Sequence, residues 1–142
     1  MDTLYIVEDD DIDRMSYQRS AQSALLSFDL VFFKTGIELM DHVHNAASDD
    51  KGPVAIVLDF NLPGMSGLDC IKALKENIGT RHWPIWVVST SAAPQDIAEV
   101  YRYGATGFIS KYDTGNNFEL VFSLLEQYAA LVTLPQATDM GH

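Results

Sequence analysis

The sequence predicts one α/β domain: a doubly wound, five-stranded parallel sheet with helices on both faces. Three observations lead there. Five short apolar runs alternate with five segments of helical length. Each run is mostly β-branched or aromatic and apolar at successive positions, as strands covered on both faces are. The chain has 142 residues, 47% of them hydrophobic and 20% charged, which is room and composition for one globular domain. Such a length buries about 70% of the surface of the unfolded chain, so no disulfide or metal staple is needed for a core.

The elements follow in order. The first run is Leu4-Tyr5-Ile6-Val7. A helix from about Asp11 to Ser27 comes next, with Ile12, Met15, Arg19, Gln22 and Leu26 on a partly apolar face. The second run, Leu30-Val31-Phe32-Phe33, leads to a helix lined by Ile37, Met40, Asp41 and His44, which frays into Ser48-Asp49-Asp50. The third run is Val54-Ala55-Ile56-Val57-Leu58, and Leu68, Ile71, Leu74, Lys75 and Ile78 line the helix after it. The fourth, Ile85-Trp86-Val87-Val88, precedes a helix lined by Ile97, Val100, Tyr101 and Gly104, with Pro94 in its first turn. The fifth, Gly107-Phe108-Ile109-Ser110, precedes a last helix from about Asn116 to Leu134. The domain is expected to occupy residues 1–134, and Pro135 to His142 form a tail too short for a second domain. Right-handed crossovers leave few topologies, and the doubly wound strand order 2-1-3-4-5 is the one adopted here.

Charge and composition remove several function classes. Nine Lys+Arg against twenty Asp+Glu give a net charge of −11. A chain this acidic is repelled by phosphate backbones and anionic lipid, so neither DNA nor a membrane is expected as a partner. The single cysteine, Cys70, excludes an internal disulfide and a cysteine-built zinc site. No uncharged apolar stretch approaches the roughly 18 residues of a membrane span, and the acidic start Met1-Asp2-Thr3 does not read as a signal peptide. A free-standing cytoplasmic protein is the expectation.

In an open parallel sheet, ligands bind beyond the carboxyl ends of the strands. Glu8, Asp9, Asp10 and Asp11 follow the first run, and Asp59 follows the third. Ser89, Thr90 and Ser91 follow the fourth, and Lys111 the fifth. In the order 2-1-3-4-5 the first and third strands flank the switch point, so Glu8, Asp9 and Asp59 converge from about fifty residues apart. At ~5 Å and an effective dielectric near 20, each carboxylate pair costs ~3 kcal/mol. A cation or shared protons must offset that repulsion. With no His or Cys beside the acids, the all-oxygen set points to magnesium, or else manganese. Lys111 and the hydroxyls supply the charge neutralisation and hydrogen bonds that a phosphoryl group needs. The reading is phosphoryl transfer with Asp59 as the nucleophile.

Each of these residues also has a plainer reading. Acids at a helix start favour the dipole, and Asp10 suits a cap. An Asp before Pro63-Gly64 suits a turn, a serine can satisfy a loop amide, and Phe108 suits a core. His42 and His44, two apart on a helix, do not face each other and make no metal pair. Cys70, Trp83 and Trp86 read as packing residues. The last helix carries two apolar stripes, Phe118-Val121-Phe122-Leu125-Ala129-Val132 and Leu120-Leu124-Leu131. A helix apolar on two sides predicts self-association or partner docking through one of them.

Taken together, Ile6-Val7-Glu8-Asp9-Asp10, Val57-Leu58-Asp59 through Leu62-Pro63-Gly64-Met65-Ser66-Gly67, Val88-Ser89-Thr90 and Phe108-Ile109-Ser110-Lys111 resemble the receiver domain of two-component response regulators. The likeness spans roughly residues 3 to 130. It implies a flavodoxin-like (βα)5 fold and a phosphorylation-dependent signalling switch. Asp59 would accept a phosphoryl group from a sensor histidine kinase or a histidine phosphotransfer protein. Glu8, Asp9 and Asp59, with the backbone carbonyl of Asn61, would hold magnesium. Ser89 would be the switch hydroxyl that follows the phosphoryl group, Lys111 the lysine that pairs with it, and Phe108 the aromatic switch residue. Asp-Asp-x-x-Asp after the first strand and Ser-Thr-Ser after the fourth are similar to stand-alone receivers that partner phytochrome-type kinases.

The resemblance further implies that the face made by the fourth helix, fifth strand and fifth helix changes shape to control a downstream protein. Moving such a switch from 1:99 to 99:1 takes ~5.5 kcal/mol of differential stabilisation. The domain would catalyse its own phosphorylation and slow dephosphorylation without being an enzyme for other substrates. One position departs from the family: Tyr112 stands where proline usually follows the lysine. A cis bond without proline costs ~3 kcal/mol or more, so the Lys111–Tyr112 bond is expected to be trans. That departure leaves a phosphorylation-independent binding module as the alternative function. A small-molecule phosphatase would carry an acid where Asn61 stands, and a nucleotide binder a glycine-rich loop where the acids stand.

Overall fold

The structure, a computed structural model, describes residues 2–24, 26–45, 52–91 and 93–135. Its strands are β1 (Asp2–Val7), β2 (Phe28–Phe33), β3 (Ala55–Asp59), β4 (Ile85–Ser89) and β5 (Gly107–Ser110). Its helices are α1 (Asp11–Ala24), α2 (Gly36–Asn45), α3 (Gly67–Glu76), α4 (Pro94–Arg102) and α5 (Glu119–Leu131). The sheet order is β2-β1-β3-β4-β5, with the β1–β2, β1–β3, β3–β4 and β4–β5 ladders all parallel. The alternation of strands and helices predicts such a parallel sheet, and its order is that of the flavodoxin-like (βα)5 fold that the resemblance implies. Among the described residues, no helix is long and apolar enough to cross a membrane.

Alternation along each strand divides the core into two layers. Tyr5, Val7, Ile56, Leu58, Ile85 and Val87 face α2, α3 and α4, where they meet Leu39, Ile71, Leu74 and Val100. Leu4, Ile6, Val57 and Val88 face α1 and α5, where they meet Tyr17, Val121, Phe122 and Leu125. Each of these large side chains stabilises the fold by about 1.5–3 kcal/mol through burial. Cys70 packs in the first layer, fully buried, as expected.

Several helices differ from the sequence expectation. On α1 the buried residues are Tyr17 and Ser20, while Ile12 and Met15 are exposed. Aromatic packing sets this rotation: the Tyr17 ring stacks on Phe118 with centroids 4.1 Å apart. On α2, Leu39 and Met40 are buried and Ile37 is exposed. Helix α3 stops at Glu76 because Asn77 turns extended and its side-chain oxygen accepts from the Gly79 amide at 2.8 Å, which leaves Ile78 exposed. Helix α5 begins at Glu119, since Asn117 and Phe118 hold positive φ of 52° and 61°. Its first apolar stripe is buried through Phe118, Val121, Phe122 and Leu125, whereas Ala129 and Val132 are exposed. The second stripe, Leu120, Leu124 and Leu131, is open to solvent. The fraying expected at Ser48-Asp49-Asp50 and the tail beyond Pro135 lie outside the described residues.

Candidate functional site

The strand order brings the acids together. β1 and β3 are neighbours, with Val7 opposite Leu58, so the residues that follow them leave the sheet side by side. Glu8 extends the β1–β2 ladder, its amide donating to the Phe33 carbonyl at 2.9 Å, and its side chain is buried. Asp9 is exposed, and Asp59, the last residue of β3, is 8% exposed. One carboxylate oxygen from each of Glu8, Asp9 and Asp59 lies within 4.8 Å of the other two.

Local contacts hold this geometry. The Asp10 carboxylate accepts from the amides of Ile12 at 2.8 Å and Asp13 at 3.2 Å, capping α1 as its position suggests. The Arg14 guanidinium donates to the carbonyls of Glu8 and Asp9, each at 3.2 Å, and pairs with Asp11. Asp59 accepts from the Asn61 amide at 3.1 Å. Beyond it, Ser66 and Asp69 form a reciprocal capping box that starts α3. Gly67 has to be glycine: a Cβ there would lie 2.7 Å from the Asp59 carbonyl oxygen and 2.9 Å from the Phe60 Cα, both backbone atoms that cannot yield.

Lys111, at the end of β5, reaches across to the cluster. Its Nζ donates to Glu8 at 2.8 Å, to Asp13 at 2.8 Å and to Asp59 at 3.4 Å. No cis peptide bond occurs among the described residues, so the Lys111–Tyr112 bond is trans, and the lysine arrives at the acids with Tyr112 in place of proline. Ser110 caps the short turn at Lys111–Asp113, and Thr114 donates to the Lys111 carbonyl at 2.8 Å, which fixes the backbone behind the lysine.

Ser89 ends β4 and is fully buried. Its hydroxyl accepts from the Ser91 amide at 3.1 Å, and the Asn61 side-chain amide lies 3.5 Å away. It therefore satisfies a loop amide while sitting one residue beyond Val88, the residue that pairs with Asp59. Phe108 is half-buried against the first core layer, and its amide donates to the Tyr101 hydroxyl at 3.0 Å. The histidines of α2 form no pair; His42 instead makes a 3.2 Å hydrogen bond with the Tyr5 hydroxyl.

Electrostatics follow from three carboxylates meeting one ammonium. Burial drives the Glu8 carboxyl up to about 8; the Lys111 hydrogen bond opposes this and the charge on Asp59 adds to it. For Lys111, burial alone would lower the ammonium, but hydrogen bonds to Asp13 and Glu8 outweigh it and hold the group above its ordinary value. Burial, together with the charges on Glu8, Asp13 and Asp59, keeps the Tyr17 phenol well above its usual range. The raised Glu8 carboxyl, which favours its neutral form, and the Lys111 charge thus relieve a repulsion that a cation would relieve more fully. The donor set, all carboxylate oxygen with no imidazole or thiolate, suits a hard divalent ion.

The structure unites Glu8, Asp9, Asp59 and Lys111 as the sequence predicts, with Asn61 and Ser89 at the margin and Phe108 set back in the core layer. Asp13 and Arg14 are the participants that sequence reasoning leaves without a role. The available signal was Asp13's place in the first turn of the helix that leaves the site.

The family model for the response regulator receiver domain matches residues 4–120 of this chain. The response regulator Rcp1 of Synechocystis sp. is 23% identical over 137 residues, covering 94% of this chain and 93% of Rcp1. The crystal structure of the Mn(2+)-bound form of Rcp1 superposes with a TM-score of 0.76 at 23% identity, covering 95% of this chain and 99% of that one. That of the phosphorylated cyanobacterial phytochrome response regulator RcpA gives a TM-score of 0.78 at 24% identity, covering 94% and 98%.

Proposed function

The chain belongs to the response regulator receiver family, and from that premise we propose that it is a signalling switch phosphorylated on Asp59. The donor is a histidine kinase or a histidine phosphotransfer protein of the cytoplasm. One observation carries the reading: Lys111 Nζ lies 3.4 Å from Asp59, in a crevice where Glu8, Asp9 and Asp59 present oxygens within 4.8 Å of one another. Glu8, Asp9, Asp59 and the Asn61 carbonyl would hold magnesium, or manganese, which when bound supplies positive charge to the transferring phosphoryl group.

A carboxylate oxygen of Asp59 attacks phosphorus. The phosphorus–nitrogen bond to the donor histidine breaks, and the imidazole leaves with the electron pair. Asp59, with charge −1, becomes an acyl phosphate near −2. The protonated Lys111 offsets the added charge, and Ser89 donates its hydroxyl to a phosphoryl oxygen once it leaves the Ser91 amide. Phe108 then turns inward and the α4-β5-α5 face changes for a downstream protein. Water later cleaves the acyl phosphate slowly, so the domain acts on its own phosphoryl group and on no other substrate. The exposed stripe Leu120-Leu124-Leu131 is the surface offered to a partner or to a second copy.

The test incubates the protein with magnesium and either acetyl phosphate or beryllofluoride. After acetyl phosphate, intact-mass spectrometry should find one phosphoryl group on the wild type and none on Asp59→Asn, and native mass spectrometry should find the beryllofluoride adduct on the wild type alone. A wild type that gains no adduct overturns the reading.

A further inference from the structure

We propose that Asp13, in the first turn of α1, is a positioning residue that holds Lys111 away from the phosphoryl acceptor and sets how readily the phosphorylated state forms. The inference rests on Asp59 being the phosphoacceptor, and it adds a residue outside the acid cluster itself.

An ammonium has three N–H donors. All three of Lys111 are used: Glu8 and Asp13 accept at 2.8 Å each, and Asp59 is the long contact at 3.4 Å. The lysine is thus engaged more closely by two carboxylates that carry no phosphorus than by the one that would. A phosphoryl group on Asp59 inherits the donor that already points there, and the two 2.8 Å contacts to Glu8 and Asp13 set how far Lys111 can move to shorten it.

The two candidates for release differ. The Glu8 side chain is 2% exposed, against 26% for Asp13. Freeing Glu8 from Lys111 leaves a buried carboxyl oxygen without its hydrogen-bond donor, whereas freeing Asp13 returns a carboxylate to water. Asp13 also keeps the favourable field of the α1 N-terminus after letting go, because it sits in the helix's first turn. Finally, Asp13 is not one of the three acids whose oxygens cluster within 4.8 Å, so a cation held there does not occupy it. Asp13 is therefore the partner that yields, and its grip on Lys111 is a tax on phosphorylation.

The experiment titrates beryllofluoride into magnesium-loaded protein and compares wild type, Asp13→Asn, Asp13→Glu and Asp11→Asn. The Asp11 variant removes one negative charge from the same helical turn, at a residue paired with Arg14 and not with Lys111. It therefore measures the general effect of charge on anion affinity. We expect Asp13→Asn to bind beryllofluoride at least 5-fold more tightly than Asp11→Asn does, and to keep its acyl phosphate correspondingly longer. Asp13→Glu should stay within 2-fold of wild type, which a loss of local packing would not produce. Equal affinities for the two Asn variants, with an adduct formed by both, overturn this inference alone. A wild type that forms no adduct overturns the phosphoacceptor reading and this one with it.

Discussion

Without a divalent cation, the protein should lose stability as pH rises from 4.5 to about 8, and the loss should trace to Glu8. The folded state holds the Glu8 proton up to about 8, against 4.5 for a free glutamate, chiefly because the carboxyl is buried. The folded state therefore binds the proton more tightly than the unfolded chain. A raised carboxyl contributes stability that is fully present below pH 4.5, declines across the window and is gone once pH passes about 8. At about 1.36 kcal/mol per pH unit the whole effect is roughly 5 kcal/mol, a large part of the 5–15 kcal/mol that holds a domain together. Urea denaturation in EDTA at several pH values should show it as a falling midpoint. Glu8→Gln keeps the shape and has nothing to ionise, so it should match wild type near pH 5 and exceed it increasingly toward pH 8.5. Magnesium should restore the wild type at high pH by satisfying the ionised carboxylate. At pH 7, below the raised Glu8 value, binding should release a proton, measurable by calorimetry in buffers of different ionisation enthalpy. Parallel pH curves for wild type and Glu8→Gln, or magnesium binding with no proton release, refute the reasoning.

Two further outcomes follow from the geometry. Gly67→Ala should cost about 1–3 kcal/mol, because its Cβ would meet backbone atoms of Asp59 and Phe60 within 3 Å; it should also weaken beryllofluoride capture by shifting the Asp59 turn, and an unchanged melting temperature with normal capture refutes this. Leu120→Glu with Leu124→Glu, on the exposed face of α5, should abolish self-association in sedimentation at unchanged melting temperature; a wild type that stays monomeric at every concentration, with and without beryllofluoride, removes the self-association reading.

Strands and site were legible for the same reason. A strand covered on both faces must be apolar at every position, so its run ends where the sheet ends, and the next residue stands at the ligand-binding edge. Glu8, Asp59, Ser89 and Lys111 each occupy or follow such an end. Once β1 and β3 are neighbours, the meeting of Glu8 and Asp59 depends only on backbone register, which one-dimensional pattern carries well.

What stayed hidden depends on helix rotation and on side-chain reach. The inward face of α1 is fixed by one tyrosine stacked on Phe118, about a hundred residues away, and not by the polar helix's own periodicity. The start of α5 is set by two positive φ angles at residues without a glycine signature, Asn117 and Phe118. Asp13 was masked by a sufficient local explanation, since acids in a first helical turn need no distant partner to be favourable. Only the arrival of Lys111 from 98 residues along the chain turns it from a dipole-matching acid into one that holds the lysine of the site. The arrangement cannot be inferred from composition: the lysine has three donors, and the fold delivers three acidic side chains to them, Asp59 at the longest distance. On the proposed reading, a phosphoryl group on Asp59 inherits the one long contact of this set, and the acid that gives way most easily decides how far the lysine follows it.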